Sequence, residues 1–367
     1  MQTDNLRFIN VNGKLMDLTH PQVMGILNVT PDSFYAFSRK QTEDDMIGRI
    51  LQIKEEGGSF IDIGAYSSRP DATHLSAEEE MNRLRIGLQL IGRYAPDMPV
   101  SVDTFRADIA KMCVEEYGAS IINDISAGNM DENMFSTIAQ LGVPYIIMHM
   151  QGTPQDMQKN PHYDHFLKEV FYYFSEKIQE LRDLGVKDIL IDPGFGFGKT
   201  LEHNYQLMNH LEEFQLFELP ILIGISRKSM ISKVLGGGPE EALNGTTALH
   251  AIALQKGASI LRVHDVKEAV ETIKIIEKMK LINVIDENGK SYSSTYVKRA
   301  KGLVKHDRAY WVDDSTICLR VPLLQTEEKT MKATDFERMI ALTVAGNYAI
   351  KNKNKDDYHL GYSAIKA

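Results

Sequence analysis

The first 280 residues alternate between short apolar segments and stretches of helical spacing, and this alternation constrains the fold more than any other feature. The apolar segments do not alternate with polar residues, which is typical of parallel strands buried on both faces. The stretch after each segment carries apolar residues at the three- and four-residue spacing of an amphipathic helix. The eight predicted strands cover residues 23–27, 60–63, 100–102, 120–122, 144–148, 188–191, 220–223 and 259–263.

Eight strand–helix units in about 260 residues are what a closed (β/α)8 barrel requires. An open doubly wound sheet has the same periodicity and stays the alternative. Polar residues follow nearly every predicted strand, and only a closed barrel brings all of those strand ends to one site. The sequence therefore favours an α/β fold, with a (β/α)8 TIM barrel over residues 1–280 and a C-terminal extension over residues 281–367.

A β-hairpin is predicted ahead of the first barrel strand. Residues 6–10 and 15–18 are strand candidates, and Asn12-Gly13 between them is a strong signal for a two-residue turn. Because the hairpin lies directly before the barrel, we expect it to close the barrel's lower end.

Composition restricts the class of protein. The formal net charge of −9 and the pI near 5.7 disfavour a global role in nucleic-acid binding, which needs a basic surface. The sequence has no run of about 18 apolar residues and no N-terminal apolar segment of signal length, so we expect neither a membrane span nor secretion. Cys113 and Cys318 are the only cysteines, which fits a reducing cytoplasm.

The C-terminal extension differs from the barrel in charge. It holds 14 Lys and Arg against 11 Asp and Glu, a balance of +3, whereas the preceding residues hold 27 against 39, a balance of −12. The pattern predicts a small α+β unit with strands at 281–285 and 316–321, a turn at 287–289 and a helix at 334–351. The basic stretch 298–308 is typical of a solvated face, and contact with nucleic acid or an acidic partner is the alternative.

The polar residues after the strands divide into two chemical groups. Arg69, Arg262 and His264 are donors suited to the oxygens of phosphate or pyrophosphate. Asp103, Asn123 and Asp192 suit a heterocycle that bears amino and amide groups. Asn28 is a candidate for a single magnesium ligand, because magnesium keeps waters and takes further ligands from substrate phosphates. The sequence thus indicates a phosphorylated heterocyclic ligand.

The glycine-rich run 194–199 is not a P-loop, because Pro193 occupies the position of the first required glycine. Two interpretations of the run stay open. Its backbone could bind an anion, or its glycines could let the loop approach a ligand closely.

The ordered set of these motifs resembles the dihydropteroate synthase family over roughly the first 280 residues. Residues 24–34 are similar to the opening signature of that family, and residues 62–70 to its second signature. The other motifs that match in order lie at residues 101–104, 123–125, 192–199, 226–228 and 262–264.

The resemblance implies an enzyme that joins 6-hydroxymethyl-7,8-dihydropterin pyrophosphate to p-aminobenzoate, giving 7,8-dihydropteroate and pyrophosphate. It further implies an SN1-like route, a Mg²⁺ cofactor, a homodimer and sensitivity to sulfonamides. The residues that it assigns to the pterin are Asp103, Asn123, Asp192 and Lys228. Those assigned to pyrophosphate are Asn28, Arg69, Arg262 and His264, with Asn28 also the metal ligand. Those assigned to p-aminobenzoate are Phe34, Ser68, Pro70, Phe197, Ser226 and Lys228. Those expected to be catalytic are Asp103, Lys228, Arg262 and His264.

Two loops depart from the family pattern. The family's first loop continues with Ser-Asp-Gly-Gly after the conserved Ser-Phe, whereas here Phe34 precedes Tyr35-Ala36-Phe37-Ser38. Asp71 follows Pro70 where the family has glycine. We expect an altered response to sulfonamides, and an inhibition constant typical of the family would contradict this hypothesis.

Two other functions fit parts of the sequence. A pterin-binding methyltransferase domain shares the barrel and the pterin cradle, but it needs no pyrophosphate clamp, so the motifs at 226–228 and 262–264 favour the synthase. A binding protein with a vestigial barrel and a basic tail is the alternative from another class, and the complete set of polar residues argues against it.

Overall fold

A computed structural model describes residues 8–29, 39–67, 75–279, 281–313 and 315–320. The chain forms two compact units, Met1–Met279 and Lys280–Ala367. The helix predicted at 334–351 lies outside the described residues.

The N-terminal hairpin consists of β1 (Phe8–Val11) and β2 (Lys14–Asp17), paired antiparallel. Asn12 and Gly13 have φ values of 51° and 79°, as the type I′ turn of a two-residue hairpin requires. The Asn-Gly signal therefore predicted both the hairpin and its turn correctly.

The eight predicted strands form one parallel sheet in the order β8-β7-β6-β5-β4-β3-β10-β9. A bridge between Ile191 and Ile221 joins the two outer strands and closes the barrel. The prediction of a closed barrel over an open sheet is confirmed. The strands are β3 (Gln22–Asn28), β4 (Phe60–Gly64), β5 (Val100–Asp103), β6 (Ile121–Asp124), β7 (Tyr145–Met148), β8 (Ile189–Asp192), β9 (Leu222–Ile223) and β10 (Ile260–Val263).

Helices follow every barrel strand, as the periodicity predicts. The apolar faces of these helices pack on the outside of the strands in one continuous core. No helix among the residues that the structure describes is long and apolar enough to cross a membrane. The helices are α1 (Arg39–Glu55), α2 (Ala77–Tyr94), α3 (Ala107–Tyr117), α4 (Met134–Leu141), α5 (Phe166–Asp183), α6 (Leu201–Asn209), α7 (Ser229–Leu235), α8 (Leu243–Gln255) and α9 (Val266–Met279).

The hairpin closes the amino-terminal end of the barrel, as predicted. Ile9, Val11 and Leu18 are buried in a second core made by the first inward residues of the strands. The strand residues of this core are Met24, Phe60, Ile121, Ile146, Leu190, Leu222 and Ile260. The floor of the barrel is therefore apolar, which leaves the carboxyl ends of the strands for chemistry.

Shortening Ile9 to alanine should lower the free energy of unfolding by about 2–5 kcal/mol, because the removed carbons leave a cavity in the floor core. Urea unfolding of the intact chain measures this difference. Leu15→Ala in the same hairpin is the matched control, since Leu15 is 74% exposed. Equal effects of the two substitutions would show that the floor core does not contribute to stability.

Within residues 281–313 and 315–320, the C-terminal unit forms a four-stranded sheet and one helix. Its strand order is β12-β11-β14-β13, and the two central strands run parallel. The sequence predicted β11 and the position of β14, but it missed β12, β13 and the helix α10. The elements are β11 (Leu281–Asp286), β12 (Ser291–Tyr296), α10 (Val297–Lys305), β13 (Ala309–Asp313) and β14 (Thr316–Leu319).

The basic stretch 298–308 folds as α10 and the turn after it. Ala300, Leu303 and Val304 pack into the small core of this unit, while Lys301 and Lys305 are exposed. The exposed lysines fit the solvated face that the charge run predicted. Contact of this stretch with a nucleic acid or an acidic partner stays a prediction.

Candidate active site

The polar side chains predicted for the site lie at the carboxyl ends of the barrel strands. Asp103 ends β5 and is paired in register with Asn123 on β6, while Asp192 ends β8. Arg262 lies on β10, and Lys228 follows β9. Because all the strands are parallel, these residues converge at one end of the barrel.

Arg262 connects two carboxylates inside the barrel mouth. Its Nε donates to Oδ2 of Asp62 at 2.6 Å, and its Nη2 donates to Oδ2 of Asp103 at 2.8 Å. The side chain of Asp62 is fully buried, and Nδ2 of Asn123 lies 3.4 Å from both of its carboxylate oxygens. Asp62 thus fixes two neighbours at once, Arg262 and Asn123.

Asp62 was not among the predicted site residues, although it lies within the second signature. The signal that could have found it is a carboxylate in the middle of an otherwise apolar strand. A carboxylate is almost never fully buried in such a position unless it is paired.

The charges in this cluster shift the pKa values of its members. Burial opposes the charge of Arg262, but Asp62 and Asp103 stabilise the cation and raise its pKa. Burial raises the pKa of Asp103 to about 7, although Arg262 favours the charged carboxylate. Asp103 can therefore change its protonation state near neutral pH, while Arg262 stays cationic.

Lys228 and Asp192 form the opposite side of the mouth. Nζ of Lys228 donates to the carbonyl of Phe195 and lies 4.5 Å from the ring centroid of Phe197. Burial lowers the pKa of Lys228 to about 8, against the favourable charge of Asp192. Burial raises the pKa of Asp192, against the stabilising charge of Lys228.

The glycine-rich run packs against the loop that follows β7. Gly194 has a φ of 75°, and a Cβ there would lie 2.0 Å from the carbonyl oxygen of His149. Nζ of Lys199 is buried and donates to the carbonyl oxygens of His149, Gly194 and Phe197 at 3.1, 2.8 and 3.0 Å. These contacts explain the glycine at 194 by the close approach of the run to a neighbouring loop, and both interpretations of ligand binding stay predictions. Lys199 ties the run in place.

His264 and Ser226 contact each other across adjacent strand ends. The backbone N–H of His264 donates to Oγ of Ser226 at 3.1 Å, and Nδ1 of His264 lies 3.2 Å from the same oxygen. Burial, followed by the nearby charge of Arg262, lowers the pKa of His264 to about 4. Near pH 7 this histidine is neutral, so it offers an N–H donor rather than a positive charge.

Of the remaining predicted site residues, the structure describes only Asn28. Asn28 ends β3 with an exposed side chain, and its register partner is Gly64 on β4. Phe34, Ser68, Arg69 and Pro70 lie outside the described residues, as do the departures at Ala36, Phe37 and Asp71.

A closed (β/α)8 barrel with carboxylates, an amide and cations gathered at its carboxyl end defines a class of barrel enzyme that binds a polar heterocycle. The model of one protein family, described as "Pterin binding enzyme", matches residues 24–264 of the chain.

Similar proteins were found among curated sequences and among solved structures. The dihydropteroate synthase of Escherichia coli strain K12 is 43% identical over 267 residues, covering 72% of this chain and 94% of that protein. The dihydropteroate synthase of Yersinia pestis, solved in complex with a sulfonamide drug, is 40% identical with a TM-score of 0.67, covering 74% of this chain and 98% of that one. The dihydropteroate synthase of Xanthomonas albilineans, solved with 4-aminobenzoic acid, is 37% identical with a TM-score of 0.67, over 74% and 97% of the two chains.

The chain belongs to the pterin-binding enzymes and, within that family, to the dihydropteroate synthases, which are transferases of folate biosynthesis. The resemblance seen in the motifs is confirmed. Of the three functions weighed on the sequence, the comparisons favour the synthase over the methyltransferase domain and the vestigial barrel.

Proposed function

We propose that the site at the barrel mouth divides the dihydropteroate synthase reaction among three groups of side chains. One group holds the pterin, one holds the pyrophosphate and one holds p-aminobenzoate. The observation that carries this proposal is the cluster around Arg262, in which a single cation contacts Asp62 and Asp103 and lies close to Lys228 and Asp192. Such a cluster can bind an anion beside a heterocycle without any change of fold.

The pterin group comprises Asp103, Asn123, Asp192 and Lys228. The carboxylates of Asp103 and Asp192 can accept N–H groups of the ring, and the amide of Asn123 can both accept and donate. As pyrophosphate leaves, positive charge spreads from the exocyclic methylene carbon into the dihydropterin ring. A carboxylate at Asp103 stabilises this charge. Because burial raises the pKa of Asp103 to about 7, this side chain acts only in the fraction of the protein that has already lost the proton to solvent.

The pyrophosphate group comprises Asn28, Arg69, Arg262 and His264. Arg262 supplies a fixed positive charge, and neutral His264 supplies an N–H donor next to it. Both groups stabilise the negative charge that grows on the leaving oxygen. Bound pyrophosphate would draw Arg262 from its carboxylate partners, so release of pyrophosphate restores the ion pairs.

The p-aminobenzoate group comprises Ser226, Lys228 and Phe197, together with Phe34, Ser68 and Pro70 on the loops. The ammonium of Lys228, beside the Phe197 ring, offers a charge for the substrate carboxylate and a face for its aromatic ring. The aniline nitrogen then attacks the methylene carbon as an uncharged nucleophile, and the ammonium that forms with the new C–N bond loses one proton to water. The scheme needs no covalent enzyme intermediate.

Magnesium is part of this proposal, with Asn28 as its one protein ligand. The described residues contain no group of three or more His, Cys, Asp or Glu side chains able to hold a metal ion. A single exposed amide oxygen at the end of β3 fits an ion bound mainly by water and substrate oxygens. When bound, magnesium would supply positive charge to the leaving pyrophosphate.

The assay that tests the function mixes the intact protein with dihydropterin pyrophosphate, p-aminobenzoate and Mg²⁺ and measures dihydropteroate. We expect product only when both substrates are present, and less of it when Mg²⁺ is chelated. A folded protein that makes no dihydropteroate from these substrates would overturn the proposal. A chain that ends at Lys280 assesses the C-terminal unit, and retained activity would make that unit an accessory.

The pH dependence of kcat/KM should be bell-shaped. Asp103 must lose its proton to stabilise the pterin cation, so the rate should rise with pH through about 7. Lys228 must keep its proton to bind the carboxylate, so the rate should fall above about 8. The two limbs belong to the coupled cluster rather than to isolated groups. Asp103→Asn removes the carboxyl group and should remove the rising limb, and an unchanged profile in that variant would contradict this assignment.

We further infer a homodimer in the cytoplasm. Val234 and Leu235 on α7 and Ile275 on α9 are large apolar side chains that are 57%, 58% and 63% exposed. Burial of such side chains against a second copy would stabilise a dimer, and a monomer by light scattering at micromolar concentration would argue against it. Cys113 and Cys318 are buried free thiols, which suits a reducing compartment.

A further inference from the structure

Arg227 lies between two residues that point into the site, yet its own side chain points away from it. Its φ of 56° is in the left-handed region, which is uncommon for a residue other than glycine. This conformation reverses the chain direction between Ser226 and Lys228 and lets both contribute to the site. A left-handed arginine is unfavourable, so contacts of Arg227 must hold it there.

Four contacts hold the side chain of Arg227. Its Nε and Nη2 donate to the two carboxylate oxygens of Asp265 at 2.9 and 2.8 Å, a bidentate ion pair. Its Nη1 donates to the carbonyl oxygens of Pro239 and Glu240, both at 2.9 Å. The backbone N–H of Arg227 donates to Oγ1 of Thr246 on α8 at 3.1 Å.

Asp265 directly follows His264, so the ion pair joins the two segments that carry the proposed anion-binding groups. The hydrogen bond from the His264 N–H to Oγ of Ser226 joins the same segments one residue earlier. From the other side, Nη2 of Arg49 donates to the carbonyl oxygen of His264 at 2.6 Å. Hydrogen bonds from Arg49 on one side and from Arg227 on the other therefore fix the segment His264-Asp265.

The Arg227–Asp265 pair is only partly exposed. The two side chains are 26% and 18% exposed, and the fork geometry of the guanidinium matches both carboxylate oxygens. A bidentate pair fixes both the distance and the relative orientation of the two side chains. A lysine in place of Arg227 would make a single contact and would not fix the orientation.

We propose that Arg227 is a positioning residue, which sets Ser226 and Lys228 against His264 through its bidentate pair with Asp265. The inference rests on the site roles proposed above, and it assigns Arg227 no contact with a substrate. Loss of the fork frees the backbone at Arg227 from its left-handed conformation. Lys228 and His264 then lose their mutual placement, and a misplacement of about 1 Å can lower a rate by about a hundredfold.

The experiment compares Arg227→Lys, Asp265→Asn and the double variant in the intact chain. We expect each single variant to lower kcat about ten- to a hundredfold. The double variant should be no worse than the poorer single one, because both remove the same interaction. KM for p-aminobenzoate should also rise, because Ser226 and Lys228 move together.

Lys256→Gln is the matched control. Its Nζ donates to the carbonyl of Asn209 at 2.8 Å and pairs with Glu212, so it also joins two segments by an ion pair and a backbone contact. It follows α8 and precedes β10, at the barrel end away from the site. The melting temperature of Lys256→Gln should fall by as much as that of Arg227→Lys. The kcat of Lys256→Gln should stay at the wild-type value.

The pH profile separates positioning from a general loss of stability. Lys228 has its low pKa because it is buried, and the charged groups around it in the described part of the chain are Asp192, Arg262 and Asp103. If Lys228 moves toward solvent in Arg227→Lys, the falling limb of the profile should shift to higher pH. The positioning role would be overturned if Arg227→Lys and Asp265→Asn had the same kcat as Lys256→Gln and if the falling limb of their pH profiles stayed at the wild-type pH. An inactive wild-type protein would overturn the proposed function instead.

Discussion

Replacing Arg262 by methionine should lower the free energy of unfolding by about 3–5 kcal/mol and reduce synthesis of dihydropteroate to near background. The substitution leaves Asp62 and Asp103 facing each other without their shared cation. Asp62 is fully buried, so water cannot replace the lost partner. The same change removes the fixed positive charge that we assign to pyrophosphate.

Chemical unfolding at two pH values tests this explanation. The deficit of Arg262→Met should be smaller at pH 5 than at pH 8, because the pKa of Asp103 is raised and a protonated carboxyl needs no cation. Adding Asp62→Asn to Arg262→Met should restore part of the stability but not the activity. A deficit that does not depend on pH would mean that lost packing, rather than unpaired charge, destabilises the variant.

Lys228→Ala should lower kcat/KM for p-aminobenzoate by roughly a hundred- to a thousandfold, the usual effect of removing one preorganised donor from an active site. Lys228 is the one residue that the proposal shares between the pterin and the aminobenzoate groups, so its loss affects binding of both substrates. The protein should stay folded, because Asp192 keeps the hydrogen bond from the backbone N–H of Gly194 and the nearby charges of Arg262 and Lys199. Initial rates at varied concentrations of each substrate measure the two effects separately.

Lys233→Ala provides the matched control for that substitution. Lys233 lies on α7, five residues beyond Lys228, and its side chain is exposed. The control should keep full activity and stability. Lys228→Arg should be intermediate, because it keeps the charge but cannot match the geometry of a compact ammonium. If Lys228→Ala were as active as Lys233→Ala, Lys228 would have no role in the site.

The sequence predicted the barrel well because buried parallel strands leave a strong local pattern. All eight strands were located, and the errors lie at strand ends. The strands β5 and β8 continue one residue further, to the polar Asp103 and Asp192, while β6 ends two residues later than predicted and β9 begins two residues later. In the C-terminal unit, β12 was missed because Ser291–Tyr296 is rich in serine and has little apolar character. Pairing with β11 makes it a strand, and such tertiary context overrides local preference.

The sequence indicated which strand-end residues lie together at the barrel mouth, but it missed Asp62 and did not indicate how the side chains connect. Asp103, Asn123, Asp192, Lys228 and Arg262 were chosen because they follow strands, and the parallel register places them together. That Arg262 bridges two carboxylates depends on side-chain directions across the barrel, which spacing does not encode. In the same way, the left-handed backbone at Arg227 depends on a partner 38 residues away.

The hairpin floor has a consequence for synthesis of the protein on the ribosome. Ile9 is translated before any barrel strand, but its core includes Ile260 on the last barrel strand. At about 5–20 residues per second, the intervening chain takes roughly 10–50 s to appear. A hairpin by itself is marginally stable in water, so its apolar side chains stay exposed to solvent for that time. The nascent chain is therefore expected to depend on chaperone capture of the hairpin segment, and the barrel to form only after translation of β10.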